Sequence, residues 1–548
     1  MKASHSICYA IVLAIAGTGC KKATPQQPAR PDVLLRWHFA GTAQLSADTN
    51  AAWFQTIAAL PASSEFKQEF VLKLARGPFQ FLRYRIAGAT NDYAELLAPL
   101  FADLLSAESC GELRAVTNQP SEFALAVRLA DERTLTWQTN LATVLRAWTG
   151  CQPAPLAGSG RIGWELKKHH APNLIRFEQV GTWAIFGWAH DAPQLLDEYA
   201  AHIRAHGRPP LLNHKTNPEP FLHLHIDWPK AQLQAEQQLG VKLPLALPKL
   251  ELTATSQNAE LLVTAKLALP QPLKWAPVPW QIPTNTIREP LISFTACRGV
   301  APLLQKINML GELGLTPPPD QIYLWALQDI PFQTFVAVPV PNATNIIRQT
   351  ESVLKERLGP IIQARALGEL GPDPEATGGL IWRGLPFIGP YILPINEPTG
   401  EFLLFGLFPN TPVTNPPPPE LYAQFIERPQ IAYYDWEITH VRFQQLWNLC
   451  QLIRLIADIP QLNTQTAMWK WLDSVSTNLG NTATHITVDN PHQISLVRRS
   501  QLGLTAVELV AFANWFDSDG FPMCGLALPP HASTSTQTRR NTNAQTRR

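Results

Sequence analysis

Two stretches of this 548-residue chain, about 210 residues apart, carry the same succession of strand and helix patterns. A repeat on that scale constrains a fold more than any single element does. The first stretch has alternating segments at Gly111 to Val116 and Glu122 to Val127, with turn residues from Asn118 to Pro120. The second has Gln321 to Leu327 and Thr334 to Val338, with turn residues from Asp329 to Pro331. Apolar alternation with a period of two on both sides of a turn predicts a β-hairpin.

Each hairpin leads into a predicted helix. After the first, Trp137, Leu141, Val144 and Trp148 share one face, Asp131 is placed to cap and Gly150 to terminate. After the second, Ile347, Leu354 and Leu358 align between Asn342 and Gly359. Three further strands follow each helix: Ile162 to Trp164, Leu174 to Phe177 and Trp183 to Trp188, answered by Leu380 to Trp382, Tyr391 to Pro394 and Phe402 to Phe408. Phe221 to Trp228 and Ile431 to Trp436 both end in Asp-Trp, and a second hairpin follows each, within Leu250 to Leu267 and His485 to Val497. Val33 to Phe39 and Leu291 to Ala296 read as the opening strands.

The expected fold class is therefore α+β: two tandem related units of antiparallel sheet with packed helices, opening in the βαββαβ order of the ferredoxin-like motif. The division is 1–19 signal peptide, 20–32 Pro-rich tether, 33–270 first unit, 271–288 Pro-rich linker, 289–515 second unit and 516–548 C-terminal segment with a disordered tail. Proline cannot serve a central strand, which suits Pro272, Pro277, Pro279 and Pro283 to a connection. The first unit is longer by roughly three predicted helices between Phe54 and Phe101, with Asp48 and Asn91 as candidate caps.

The N-terminus pairs Lys2 with an apolar run of about ten residues, too short to cross a bilayer and suited to a secretory signal. Gly17-Thr18-Gly19-Cys20 resembles the lipobox of bacterial lipoproteins, although Gly17 stands where that family has a larger aliphatic residue. The resemblance implies that Cys20 is lipidated and anchors the chain to a membrane. Lys21 after it implies the outer membrane, facing the periplasm, rather than the inner. Ordinary cleavage near Gly19 is the alternative. With export, Cys110 and Cys151 flank one predicted α/β stretch and are candidates for a disulfide.

Charge excludes one class of partner. With 44 Lys and Arg against 43 Asp and Glu and no long basic run in the body, the chain lacks the footprint of a nucleic-acid binder. No P-loop, HExxH or GxSxG pattern is present. Histidine is unevenly spread, with eight of 14 between His169 and His225. Glu198, His202 and His206 recur at helical spacing, and His223 and His225 share a strand face, so the five are candidate ligands for zinc or another divalent metal. Against that, the helical stripe borders the apolar face of Leu195, Leu196, Tyr199 and Ile203, and His206 suits a helix C-terminus for dipole reasons.

These readings predict an exported, membrane-anchored lipoprotein of the cell envelope. Its expected role is a non-enzymatic binding or scaffold component with a protein partner there and no cofactor. The alternatives are an exported metal-dependent hydrolase using the histidine cluster, or a ligand-binding lipoprotein of a transporter.

Overall fold

The structure, a computed structural model, describes residues 32–523 other than 85, 87, 117–118, 168–173, 191–192, 211–218, 233–246, 329–332, 365–366, 386–387, 409–414 and 458–465. The expected signal peptide, Cys20 and nearly all of the tether lie outside the described residues, as do His169, His170, His214 and the tail.

The chain is α+β, with helices packed on antiparallel sheet. In its first half the strands are β1 (Asp32–Phe39), β2 (Ser109–Val116), β3 (Gln119–Arg128), β4 (Ala154–Pro155), β5 (Ile162–Lys167), β6 (Leu174–Val180), β7 (Trp183–Ala189), β8 (Leu222–Asp227), β9 (Lys249–Gln257) and β10 (Glu260–Ala268). The second half has β11 (Leu291–Arg298), β12 (Gln321–Leu327), β13 (Thr334–Pro339), β14 (Glu369–Pro372), β15 (Leu380–Arg383), β16 (Tyr391–Glu397), β17 (Gly400–Gly406), β18 (Ile431–Ile438), β19 (Asn481–Asn490) and β20 (Gln493–Ser500).

Among the described residues all twenty strands join one sheet. The first ten run β4-β5-β6-β7-β3-β2-β1-β8-β9-β10. The second ten run β14-β15-β16-β17-β13-β12-β11-β18-β19-β20, the same order ten strands later. The two series meet where β10 pairs with β20, from Leu261 opposite Ser500 to Ala268 opposite Gln493.

The βαββαβ order does not give ferredoxin-like pairing. That motif sets its first and third strands side by side in parallel, whereas β1 lies antiparallel between β2 and β8, and β11 between β12 and β18. Between β11 and β12 only the short helices α7 (Ala301–Leu304) and α8 (Asn308–Glu312) intervene, whereas a 22-residue helix, Pro61–Leu82, lies between β1 and β2, and the pairing is the same. The chain turns and returns antiparallel.

Side-chain alternation gives the sheet two apolar faces. In β3, Leu125 and Val127 enter a core shared with α4 (Ala94–Leu104) and α5 (Asp131–Thr149), while Ala124 and Ala126 face α6 (Gln194–His206). In the second half, Leu403 packs under α9 (Ala343–Ala364), and Phe402 and Leu404 under α10 (Pro419–Ile426). Bulky rings pass flat over glycine on the paired strand. A Cβ on Gly111 would lie 2.0 Å from Trp37, and one on Gly406 would lie 2.4 Å from Tyr391.

Local signals are met in part. Gly150 ends α5 with φ +69°, but Asp92 rather than Asn91 accepts the Ala94 amide, and α9 continues through Gly359 and Pro360. Its last turn persists because Ile362 is buried in the same core as Ile346 and Ile347, so packing overrides the local stop. The added length of the first half has a defined position. α3 (Pro61–Leu82) lies against α12 (Ala467–Ser476) and α13 (Ala506–Asp517) of the second half, with Phe66 stacked on Trp471 at 4.5 Å and Lys73 Nζ donating to the Phe516 carbonyl at 2.9 Å.

The segment 271–288 crosses the second half as a strap. Ile282 and Ile287 are buried in its core. Arg298, 5% exposed, donates to the carbonyls of Ile431, Val278 and Pro429, and its guanidinium lies 4.5 Å from the Trp280 ring centroid. Arg298→Ala is expected to lower unfolding free energy by about 2–4 kcal/mol, because it strands three carbonyls together with the loss of packing. Arg298→Lys should restore only part, since an ammonium lacks the planar fork. Urea unfolding followed by tryptophan fluorescence reads this. An alanine variant within about 0.5 kcal/mol of the parent would show that the strap does not depend on Arg298.

Candidate functional site

The five candidate metal ligands occupy two regions. On α6, Glu198 accepts from Arg114 at 2.6 Å. His202 Nδ1 donates to the Arg208 carbonyl at 2.7 Å and His206 Nδ1 to the His202 carbonyl at 3.1 Å, with the two rings stacked at 4.3 Å. These bonds serve the helix end. His223 and His225 lie on β8, three strands beyond the β3 on which α6 packs, about 14 Å at the spacing of neighbouring strands. There His223 Nε2 is 3.5 Å from Glu251 of β9. Burial holds His225 below the usual imidazole range against the opposing pull of Asp227 and Glu251. The β1 to β8 register also sets His38 opposite His223, a neighbour that sequence spacing cannot reveal. Among the described residues no group of three or more His, Cys, Asp or Glu is arranged to hold a metal.

The expected Cys110 to Cys151 bridge is not formed; both thiols are free. Cys110 belongs to the core under α6, whereas Cys151 packs against the core under α5, so the sheet itself lies between them.

On its α6 and α10 side the sheet carries a groove of about 640 Å³ where the halves meet. The antiparallel registers build it. Arg499 of β20 stands between Leu262 of β10 and Ala483 of β19. His485 stands between Val497 and Tyr434, and Ala483 faces Trp436. Directly opposed residues share a face of the sheet. These positions therefore form the floor, with α10 as one wall through Glu420, Leu421 and Gln424.

Charge is ordered along this groove. Asn481, opposite Ile438, marks one end, with Glu260 at the start of β10 and Glu289 just before β11. Glu420, in the first turn of α10, joins them, and the Glu289 amide donates to the Asn415 carbonyl ahead of that helix. The other end is basic. Arg428 follows α10, its carbonyl accepts from Ile431 at the head of β18, and its field reaches both Tyr434 and His485. Burial first, then Arg428 and Arg499, hold His485 below the usual imidazole range. Among the described residues neither arginine, nor any of the three glutamates, lies in an ion pair.

The opposite face of the same strands is fully engaged. Arg498, next to Arg499, donates to Thr484, the Gly503 carbonyl and Glu508, which closes the capping box of α13. Glu437 accepts from the Ala506 amide at 2.7 Å and is 4% exposed. Burial is the largest influence on it, and its carboxyl is pushed up to about 7. Asp435 is raised too, chiefly by burial. Asp227, at the end of β8, and Asp435, inside β18, are five strands apart and bonded locally, to Lys249 and Thr295.

Sequence reasoning missed the groove because its members come from five strands and a helix far apart in the chain. The one local signal was Arg498-Arg499 on an alternating strand, where one of two adjacent cations must face away from the packed side.

No family model matches the chain, and no curated protein matches it. A solved structure of TP0453 in crystal form I is similar at 11% identity, over 47% of this chain and 78% of that one, with a TM-score of 0.22.

Glu437 supplies a pH test. Its carboxyl titrates near its ordinary value when unfolded and at about 7 when folded, so the folded chain holds the proton more tightly. The stabilisation is complete below the unfolded value and is lost as pH rises through 7. Glu437→Gln keeps an acceptor for Ala506 without the charge. It should gain on the parent between pH 5 and pH 8 in urea midpoint, with Asp435 leaving a residual slope. A parent-to-variant difference that stays constant across that range would refute the assignment.

Proposed function

We propose that the chain is an exported, lipid-anchored component of the cell envelope, built from two tandem related units, that acts by binding rather than by catalysis. The observation that carries this reading is the groove at the β10 to β20 junction. It lies beside that junction, lined by residues of the second half together with Glu260 of the first, and it presents unpaired charges of both signs over a partly aromatic floor, the composition of a binding site rather than of a packed core. The tandem relation is supported by the pairing order repeated ten strands later. The anchor is supported by the lipobox-like Gly17-Thr18-Gly19-Cys20, with Lys21 directing the chain to the outer membrane, facing the periplasm. An envelope protein is the proposed partner beyond the groove.

Labelling cells with an alkyne fatty acid, followed by membrane fractionation, tests the anchor. The parent chain is expected to take the label and sediment with membranes. Cys20→Ala is expected to take none, because one cysteine carries the lipid. An unlabelled parent, or equal labelling of the variant, would overturn this part of the reading.

A further inference from the structure

Charge separation along the groove restricts what can lie in it. From the level of Asn481 and Ile438 to that of His485 and Tyr434 is four residues, about 13 Å at the rise of a strand. Glu260, Glu289 and Glu420 gather at the first end, and Arg428 and His485 at the second, with Arg499 between. A simple anion would meet three carboxylates at the far end, and a simple cation two guanidiniums. A single amino acid carries both charges, but only about one residue length apart. An extended chain of three to four residues spans about 10–14 Å and brings an ammonium and a carboxylate to opposite ends.

Between the ends, beside Arg499, the floor is largely apolar, with Trp436 half-buried next to Leu421 and Tyr434 buried beneath them. Side chains of alternate residues in an extended peptide would rest there. The volume, about 640 Å³, lies within the range of small-ligand sites.

We infer that the groove binds a short peptide of three to four residues with free termini, its ammonium among Glu260, Glu289 and Glu420 and its carboxylate between Arg428 and Arg499. This rests on the binding reading above and names the ligand class for that site. Guanidinium groups suit the carboxylate because their planar donor pairs match its two oxygens. Arg428 and Arg499 are exposed, so removing their charge leaves the packed core intact.

Isothermal titration calorimetry of the full chain with the tripeptide Leu-Phe-Leu tests the inference, with N-acetylated and C-amidated forms, oleate and inorganic phosphate as parallel probes. The free tripeptide is expected to bind, and blocking either terminus to weaken it at least 10-fold. The double variant Arg428→Gln, Arg499→Gln should weaken the free tripeptide by a similar factor and leave the C-amidated form no weaker than in the parent. Glu289→Gln with Glu420→Gln should do the same for the acetylated form. Trp436 fluorescence provides a second readout if the heat is small.

Absence of binding by both readouts, equal affinity for free and blocked peptides, or unchanged binding by the arginine variant would overturn the peptide assignment. So would tighter binding of oleate or phosphate that the arginine variant abolishes, which would make the groove an anion site. The anchor is read separately: lipidation without peptide binding defeats only this inference, and peptide binding without lipidation defeats only the envelope reading.

Discussion

The pairing of β10 with β20 is the contact on which the rest of the molecule depends. Each half would otherwise end in a long strand with a free row of backbone donors and acceptors, an invitation to pair with another chain. Joining them uses each half to cover the other's edge. What remains at the two ends of the sheet is poor material for pairing: β4 has two residues including Pro155, and β14 has four ending in Pro372. The added helices of the first half reinforce the join, since Phe66 and Lys73 reach α12 and α13.

The halves share a pairing order but fill equivalent positions with opposite chemistry. Where β1 pairs with β2, Arg36 lies opposite Glu112, which is 1% exposed and also takes Arg114. Where β11 pairs with β12, Phe294 lies opposite Trp325, both buried. An ion pair at such a site gains little over well-packed apolar groups, so the two arrangements can be interchanged at modest cost in stability. The aromatic version needs a cover, and the strap with Trp280, Ile282 and Ile287 provides it, alongside Phe425 of α10. Thus a stretch whose composition suggested a loose connection is packed as part of the second half.

Much of the fold was legible because strands and helices announce themselves by period. Trp137, Leu141, Val144 and Trp148 all face the core as their spacing required. Pairing was not legible. Nothing in the order of elements distinguishes β2 beside β1 from β3 beside β1, and the length of the intervening chain does not decide it, since β2 lies beside β1 across the long helices of the first half just as β12 lies beside β11 across short ones. The groove was hidden for the same reason, since Glu260, Arg428, His485 and Arg499 become neighbours only through three strand registers. Histidine density, by contrast, was conspicuous and misleading as a guide to convergence. His202 and His206 finish a helix while His223 and His225 sit three strands away.

The junction also has a consequence in time. β10 is complete at Ala268, but its partner begins at Gln493, roughly 220 residues later. At about 5–20 residues per second the nascent first half waits on the order of 10–45 s with the outer edge of β10 unpaired, its other edge being held by β9. During that interval it offers the kind of strand edge on which chains aggregate. Alternation on β10 tempers the hazard, because Glu260 and Lys266 place charge on the face that stays open. A chain made this way gains from being held unfolded, or shielded, until its last strands emerge.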